Sequence, residues 1–431
     1  MLLIYTHKIT PRLNYIFKHF FTRILQIPVT FTTRVDEFVA HNGPKITYSK
    51  SALGSEFFIR SHDLLFEQGI NDIDINISMW DDVPCFFPSG EISNIPYDIF
   101  AASFYLISRY EEYLPHVQNE HECFPPEESI AFKNNFLEKP VIDIWAFKFL
   151  ELLKEKFPKY YFKTREFDLT STINVNRAFT YKHKGIVRTV GGFFNDFFHL
   201  RFVNLYNRLL AIFNFRKDPY NTFSEILEIK DQLNINTLFF FSIGDFTTYD
   251  KNISFSNYKF RSLIKSVADY AKIGLQPSYF SYKNAEKLKK EKLRLENIIN
   301  TPVIFSRQYY LRLSIPETYQ NLIDLDFEED YTMGYVRCAG FRASTCTPFY
   351  FYDLDFEIQT PLKIIPFAFT DFTLKEHMGL SNEESLHRIL KLKQEVKKVN
   401  GTFVSVFHNE TLSENNYWKG WSSIYKTMVT K

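Results

Sequence analysis

From about residue 165 to residue 431 the chain alternates short apolar runs with amphipathic stretches, and this alternation limits the available folds more than any other feature. Its clearest member is Thr237-Leu-Phe-Phe-Phe-Ser-Ile-Gly, where residues 238–243 offer apolar groups to both faces of a strand. Such a strand is covered on both sides, as in a parallel sheet flanked by helices. Similar runs at 167–173, 273–275, 303–305, 335–341, 362–369 and 402–407 bring the expected number to about seven strands. Helical patterns at 259–272, 285–300 and 383–399 lie between them. The length and alternation predict an α/β fold, a complete or incomplete (β/α) barrel rather than a short doubly wound sheet.

Residues 1–160 follow another pattern. Runs at 2–5, 45–48 and 74–77 read as strands. Residues 97–114 read as a helix with Ile99, Ala102, Leu106 and Tyr110 on one stripe, and 141–157 as a second helix closed by Pro158. Between them, 119–140 carries Pro125, Pro126 and Pro140 and reads as a loop. The expected organisation is a smaller mixed α/β domain, 1–160, ahead of the barrel, 165–431.

Composition excludes several classes. Phe (47), Tyr (26) and Trp (4) make up 18% of the chain, enough to fill a large core, so wholesale disorder is ruled out. With 51 basic and 50 acidic residues the net charge is +1. No global field draws nucleic acid or an anionic membrane, and only a local patch could do so. Only 14 glycines occur, with no G-x-G-x-x-G and no Walker A motif. Cys85, Cys123, Cys338 and Cys346 are scattered without a C-x-x-C, which fits reduced thiols in a cytoplasmic protein. No window approaches ~18 uninterrupted apolar residues, so no membrane span is expected. The stretch 12–25 is the one considered for lying on a membrane surface.

In a barrel of this kind the working groups follow the strands. Asn174 and Asn176 follow the first run, Gln276 and Ser278 the third, and Ser306, Arg307 and Gln308 the fourth. Arg342, Asp371, His408 and Asn409 follow the later ones. Tyr309, Tyr310, Tyr350, Phe351 and Tyr352 could stack on sugar rings or pack in the core. His116 and His121 lie in the first domain's loop and read as solvated residues, not a metal pair.

These blocks resemble, in order, the polysaccharide deacetylase (NodB-homology) family. They are Asn-Val-Asn-Arg-Ala-Phe (174–179), Gly-Leu-Gln-Pro-Ser-Tyr (274–279), Phe-Ser-Arg-Gln-Tyr-Tyr-Leu (305–311), Asp-Tyr-Thr-Met-Gly-Tyr (330–335), Gly-Phe-Arg-Ala-Ser (340–344), Thr370-Asp371 and Phe407-His408-Asn409-Glu410. Ser-Arg-Tyr-Glu-Glu-Tyr-Leu (108–114) is similar to the first domain of a bacterial subfamily. The resemblance implies a NodB-like barrel that hydrolyses the acetamide of N-acetylated sugars with a divalent metal such as zinc, held by an Asp and two His beside a catalytic Asp. At the places that resemblance assigns to Asp-x-Asp this chain has Asn174 and Asn176, and at the His before Pro-Ser it has Gln276. An amide cannot accept a proton at neutral pH and is a poor substitute for imidazole on zinc. Asp168, six residues before Asn174, sits ~20 Å away along the strand and is no replacement.

The leading expectation is therefore a degenerate deacetylase with no metal, which binds carbohydrate, an N-acetylated polysaccharide, or serves a protein partner in polysaccharide modification. Asp371 and His408 are the vestigial catalytic candidates, and Arg342, Asn174, Asn176, Gln276 and Ser278 the substrate-binding ones. Arg342 could instead be a buried partner of Asp371 or Asp330, and Asp371 a cap. The alternative is an active hydrolase working through Asp371 and His408.

Overall fold

The structure, a computed structural model, describes residues 1–415 and 417–430. It contains two principal sheets. The first is parallel, with β1 (Leu2–Tyr5), β2 (Val29–Thr32), β3 (Lys45–Ser49) and β4 (Phe57–Arg60) in the order β2-β1-β3-β4. A separate hairpin joins β5 (Ser78–Trp80) to β6 (Val83–Cys85). The expected strand at 74–77 does not form: its half-buried isoleucines have no ladder to join, and the hairpin starts just after it.

Helices Pro11–Phe17, Ile99–Ile107 and Val141–Lys156 contribute buried side chains to the core beside this sheet. Thr10 caps the first by accepting from the N–H of Leu13, and Asp98 caps the second by accepting from Phe100 and Ala101. The stretch 12–25 considered for a membrane surface is core instead. Leu13, Ile16, Phe17, Phe20, Phe21 and Ile24 are fully buried, and Phe17, Phe20 and Phe21 pack on Phe100. The expected helix 97–114 breaks at Arg109, which adopts φ +55° before a short turn at Tyr110–Tyr113.

The second sheet has nine strands. They are β7 (Asp168–Val175), β8 (Asn236–Ser242), β9 (Lys272–Gln276), β10 (Phe305–Ser306), β11 (Glu329–Asp330), β12 (Phe349–Asp353), β13 (Ile358–Ile364), β14 (Phe369–Thr370) and β15 (Thr402–His408). The order is β12-β13-β11-β10-β9-β8-β7-β15-β14. Every pair is parallel except β12–β13. The α/β parallel architecture is thus present, with β12 and β14 as the end strands of the ladder among the described residues.

Three details differ from expectation. The run 335–341 is not a strand, and the short β11 takes that place in the ladder. The run 362–369 splits into β13 and β14 around Pro366, which lacks the N–H a ladder needs. The antiparallel β12, at 349–353, carries Tyr350, Phe351 and Tyr352 of the aromatic cluster, and Tyr352 packs on Tyr15 and Phe104 of the first sheet's helices.

The two sheets share one large apolar core, to which residues from Leu2 to Met428 contribute. Polar groups also cross between them. Asp143 accepts from Arg165 (2.7 Å), the Thr345 hydroxyl (2.6 Å) and the Cys346 N–H (3.0 Å). Glu112 accepts from Arg342. A second, smaller apolar cluster lies on the sheet's inner side and includes Leu238, Phe240, Tyr331, Phe367, Val404 and Val406. Strand parity produces it: on β8, Leu238 and Phe240 face in, while Phe239 and Phe241 belong to the large core.

Candidate functional site

Parity and register decide which polar groups meet. On β15, Val404 and Val406 face the inner cluster, so His408 emerges on the same side at the strand's C-terminal end. The β15–β7 register sets His408 directly opposite Asn174. The β8–β9 register sets Ser242 opposite Gln276, and the Ser242 hydroxyl bonds the Gln276 side-chain oxygen at 3.1 Å.

Arg307 follows β10 and turns inward, fully buried. Its Nη1 donates to Asn174 Oδ1 (3.0 Å) and to the Thr172 hydroxyl (2.7 Å), and its Nε to the Tyr331 carbonyl (2.9 Å). The guanidinium lies 4.6 Å from the Phe240 ring centroid and 5.6 Å from that of Phe367. Both rings need a glycine beneath them. A Cβ on Gly274 would come within 2.4 Å of Phe240, and one on Gly334 within 2.1 Å of Phe367. Burial lowers the Arg307 pKa to about 9, only partly opposed by Asp330, Tyr331 and Asp371. Burial likewise raises the Asp330 carboxyl to about 6, against bonds from Ser306 and Thr332.

The donors fix the next links. Arginine only donates, so Asn174 turns its oxygen to Arg307 and its amide nitrogen to His408 Nε2, at 3.3 Å. Nε2 then accepts, and Nδ1 carries the proton that it gives to Asp371 Oδ1 at 2.7 Å. Asp371 is fully buried and saturated: it also accepts from the N–H groups of Phe372 and His408 and from the Thr411 hydroxyl. One hydrogen-bonded line runs Arg307, Asn174, His408, Asp371.

A cavity of about 370 Å³ opens above this line. Asn174, Asn176, Gln276, Gln308 and His408 form its polar floor, and Tyr249, Tyr309, Tyr310 and Phe372 give it aromatic walls. Arg177 and Glu410, paired at 2.7 Å, stand at its side. Asn176 Oδ1, Gln308 Nε2 and Arg307 Nη2 are buried and find no protein partner among the described residues. Tyr249 stacks on Tyr279 at 3.9 Å, and Tyr279 in turn bonds His121 of the N-terminal region at 3.0 Å. His121 therefore braces the aromatic wall, while His116 bonds the Leu114 carbonyl.

Of the residues singled out from sequence, Asn174, Asn176, Gln276 and His408 come together at the cavity, with Asp371 directly behind His408. Two do not. Ser278 is turned away and donates to Glu291 at 2.6 Å. Arg342 lies outside the cavity, and its partner is neither Asp371 nor Asp330 but Glu112, at 2.6 Å. Sequence reasoning placed Arg307 on the rim but not at the centre, and gave no role to Arg177 or Glu410. Among the described residues no group of three or more His, Cys, Asp or Glu is placed to hold a metal ion.

A family model described as a family of unknown function, DUF7033, matches residues 2–158. No match is found among curated proteins. Solved structures similar to this chain include a Mycobacterium smegmatis protein assigned to the polysaccharide deacetylases, at 12% identity and TM-score 0.41, covering 63% of this chain and 85% of that one. A pseudoenzyme of the CE4 family from Bacillus anthracis aligns at 12% identity and TM-score 0.31, over 62% of this chain and 60% of its own. A polysaccharide deacetylase from Bacillus cereus aligns at 11% identity and TM-score 0.30, over 61% and 87%.

Proposed function

We propose that this protein binds N-acetylated carbohydrate in the cavity above Asn174 and His408, and that it is a degenerate deacetylase without metal-dependent hydrolysis. The observation that carries the reading is Arg307. Its guanidinium already supplies the positive charge at the centre of the site and takes the oxygen of Asn174. A divalent ion placed on that oxygen would lie within ~5 Å of the guanidinium, a repulsion of about 7 kcal/mol at an effective dielectric of ~20. Asn174, Asn176 and Gln276 offer no anionic ligand to offset it. The residues present do not suit the metal the family resemblance implies.

What remains suits a sugar. Aromatic walls present faces for pyranose rings, and amide atoms without protein partners meet hydroxyl and acetamide groups. Residues 1–160, taken as a domain of their own, brace the aromatic wall through His121. The experiment pairs two measurements on the full chain: zinc content by elemental mass spectrometry after zinc loading and dialysis, and calorimetric titration with N-acetylglucosamine oligomers. Sub-stoichiometric zinc with saturable sugar binding is expected. One tightly held zinc per chain overturns the reading.

A second reading, a metal-independent hydrolase, rests on the 2.7 Å Asp371–His408 pair. Against it, His408 Nε2 already accepts from Asn174 and is not open to a substrate proton. Chelator-insensitive release of acetate, abolished by His408→Ala, would favour it.

A further inference from the structure

Between β7 and β8 the chain makes an excursion whose base is clamped by Asp218, which accepts from the N–H groups of Thr180, Tyr181 and Lys182. The excursion is a pair of helices, Ile186–Phe198 and Phe202–Ile212, held together by the buried Arg208–Asp196 pair. Its outer face is apolar. Val187 (85% exposed), Phe194 (59%), Phe198 (73%), Phe202 (57%), Tyr206 (63%) and Phe215 (80%) stand in solvent. Of the 33 large exposed apolar residues described in the chain, 12 fall within 186–215. Elsewhere they are scattered, which is ordinary; concentration on one face is not.

Charge selects what covers this face. Residues 182–217 hold seven Lys or Arg and one Asp, in a chain whose net charge is +1. Arg208 is paired with Asp196 and Lys217 with Glu225. Lys182 and Arg216 bond amide oxygens, Arg188 bonds the carbonyls of Lys251 and Asn252, and none of the three meets a carboxylate. Exposed Arg201 and half-buried Lys184, whose pKa burial lowers to about 8, complete the five cations that form no ion pair with a carboxylate among the described residues. Arg188 and Lys251 both lie over the exposed Phe246 ring, which extends the apolar and basic face beside the hairpin. A second copy of the chain would bring like charges together on this face, so symmetry disfavours it. Exposed rings rimmed by unpaired cations instead match the interface of a bilayer bearing anionic headgroups.

We propose that this hairpin docks the protein, without spanning, on the surface of a membrane containing anionic lipid. No helix in the described residues is long and apolar enough to cross one. Lys251, whose carbonyl receives Arg188, also lines the cavity, so docking sets the cavity mouth close to the lipid surface.

The test is flotation of the full chain with vesicles of phosphatidylcholine alone or mixed equally with phosphatidylglycerol, and it is independent of any sugar or catalytic assay. Wild type is expected to float with the anionic vesicles at least tenfold better than with the neutral ones. Each exposed cation contributes about fivefold, so R201E/R216E, at two exposed arginines, is expected to lose over tenfold. Phe198→Ser with Phe202→Ser should lose binding with the circular dichroism spectrum unchanged, since both rings are exposed. Absence of flotation on anionic vesicles, or equal flotation of both variants and wild type, overturns the proposal. So does a lipid-free dimer, seen by light scattering, that the Phe198/Phe202 variant dissolves.

Discussion

Replacing Glu112 by Gln isolates the charge that joins the N-terminal region to the loop before β12. The Glu112 carboxylate is buried and accepts from Arg342 Nε (2.9 Å), Arg342 Nη2 (2.6 Å) and Arg109 Nε (2.8 Å). Arg109 has a second carboxylate, Glu111 at 2.7 Å, but Arg342 has no other among the described residues. Burial pushes the Glu112 carboxyl up, yet Arg342 and Arg109 more than offset this and hold it below the usual range. Glutamine keeps the volume and one acceptor oxygen, so a cavity does not enter the result. It strands one guanidinium charge in the interior, for which the expected loss is about 3–5 kcal/mol. Urea unfolding followed by tryptophan fluorescence measures this. The double variant E112Q/R342M restores neutrality and should be more stable than E112Q alone, a coupling that a packing effect would not give. A loss under ~1 kcal/mol for E112Q, or simple additivity in the double variant, refutes the reasoning.

Other outcomes follow from single sites. His19 is buried with neither ring nitrogen partnered among the described residues, and burial, aided by Arg23, lowers its pKa to about 3. The unfolded chain takes up that proton near pH 6.5, so this contribution to stability is complete above pH 6.5 and is lost as pH falls; His19→Phe should gain about 3 kcal/mol over wild type between pH 7 and pH 4 in paired unfolding titrations. Gly274→Ala drives a methyl into Phe240 and should cost about 1–3 kcal/mol in thermal unfolding while weakening sugar binding, because Phe240 supports Arg307. Tyr310→Ala removes one cavity wall and should weaken oligosaccharide binding about fivefold in calorimetry.

Much of the second sheet was legible because its strands are apolar runs, and a run such as 238–243 has few other uses. The same logic failed where apolar residues are buried without a ladder. Phe341 is buried against the N-terminal region, its N–H bonding the Leu137 carbonyl, so 335–341 mimics a strand. The break at Arg109 was not visible either, because the positive φ serves partners more than two hundred residues away in Arg342 and Tyr335. At the site, the amides Asn174, Asn176 and Gln276 stood out only through the family resemblance, which sets carboxylates and an imidazole at those places. Arg307 could not be placed at the centre, since its neighbours come from β7, β8 and the segments after β11 and β13. The hairpin's helices, 186–198 and 202–212, went unassigned, and their apolar residues stand exposed rather than in a core.

The central cation has one further consequence. A metal site is loaded or empty according to supply, and a cell can starve or poison it. Arg307 is made with the chain, in fixed ratio to it, and is held in place by Asn174, Thr172 and the Tyr331 carbonyl. On the proposed reading the central positive charge therefore comes with the folded chain, indifferent to zinc scarcity, to chelating competitors and to mismetallation.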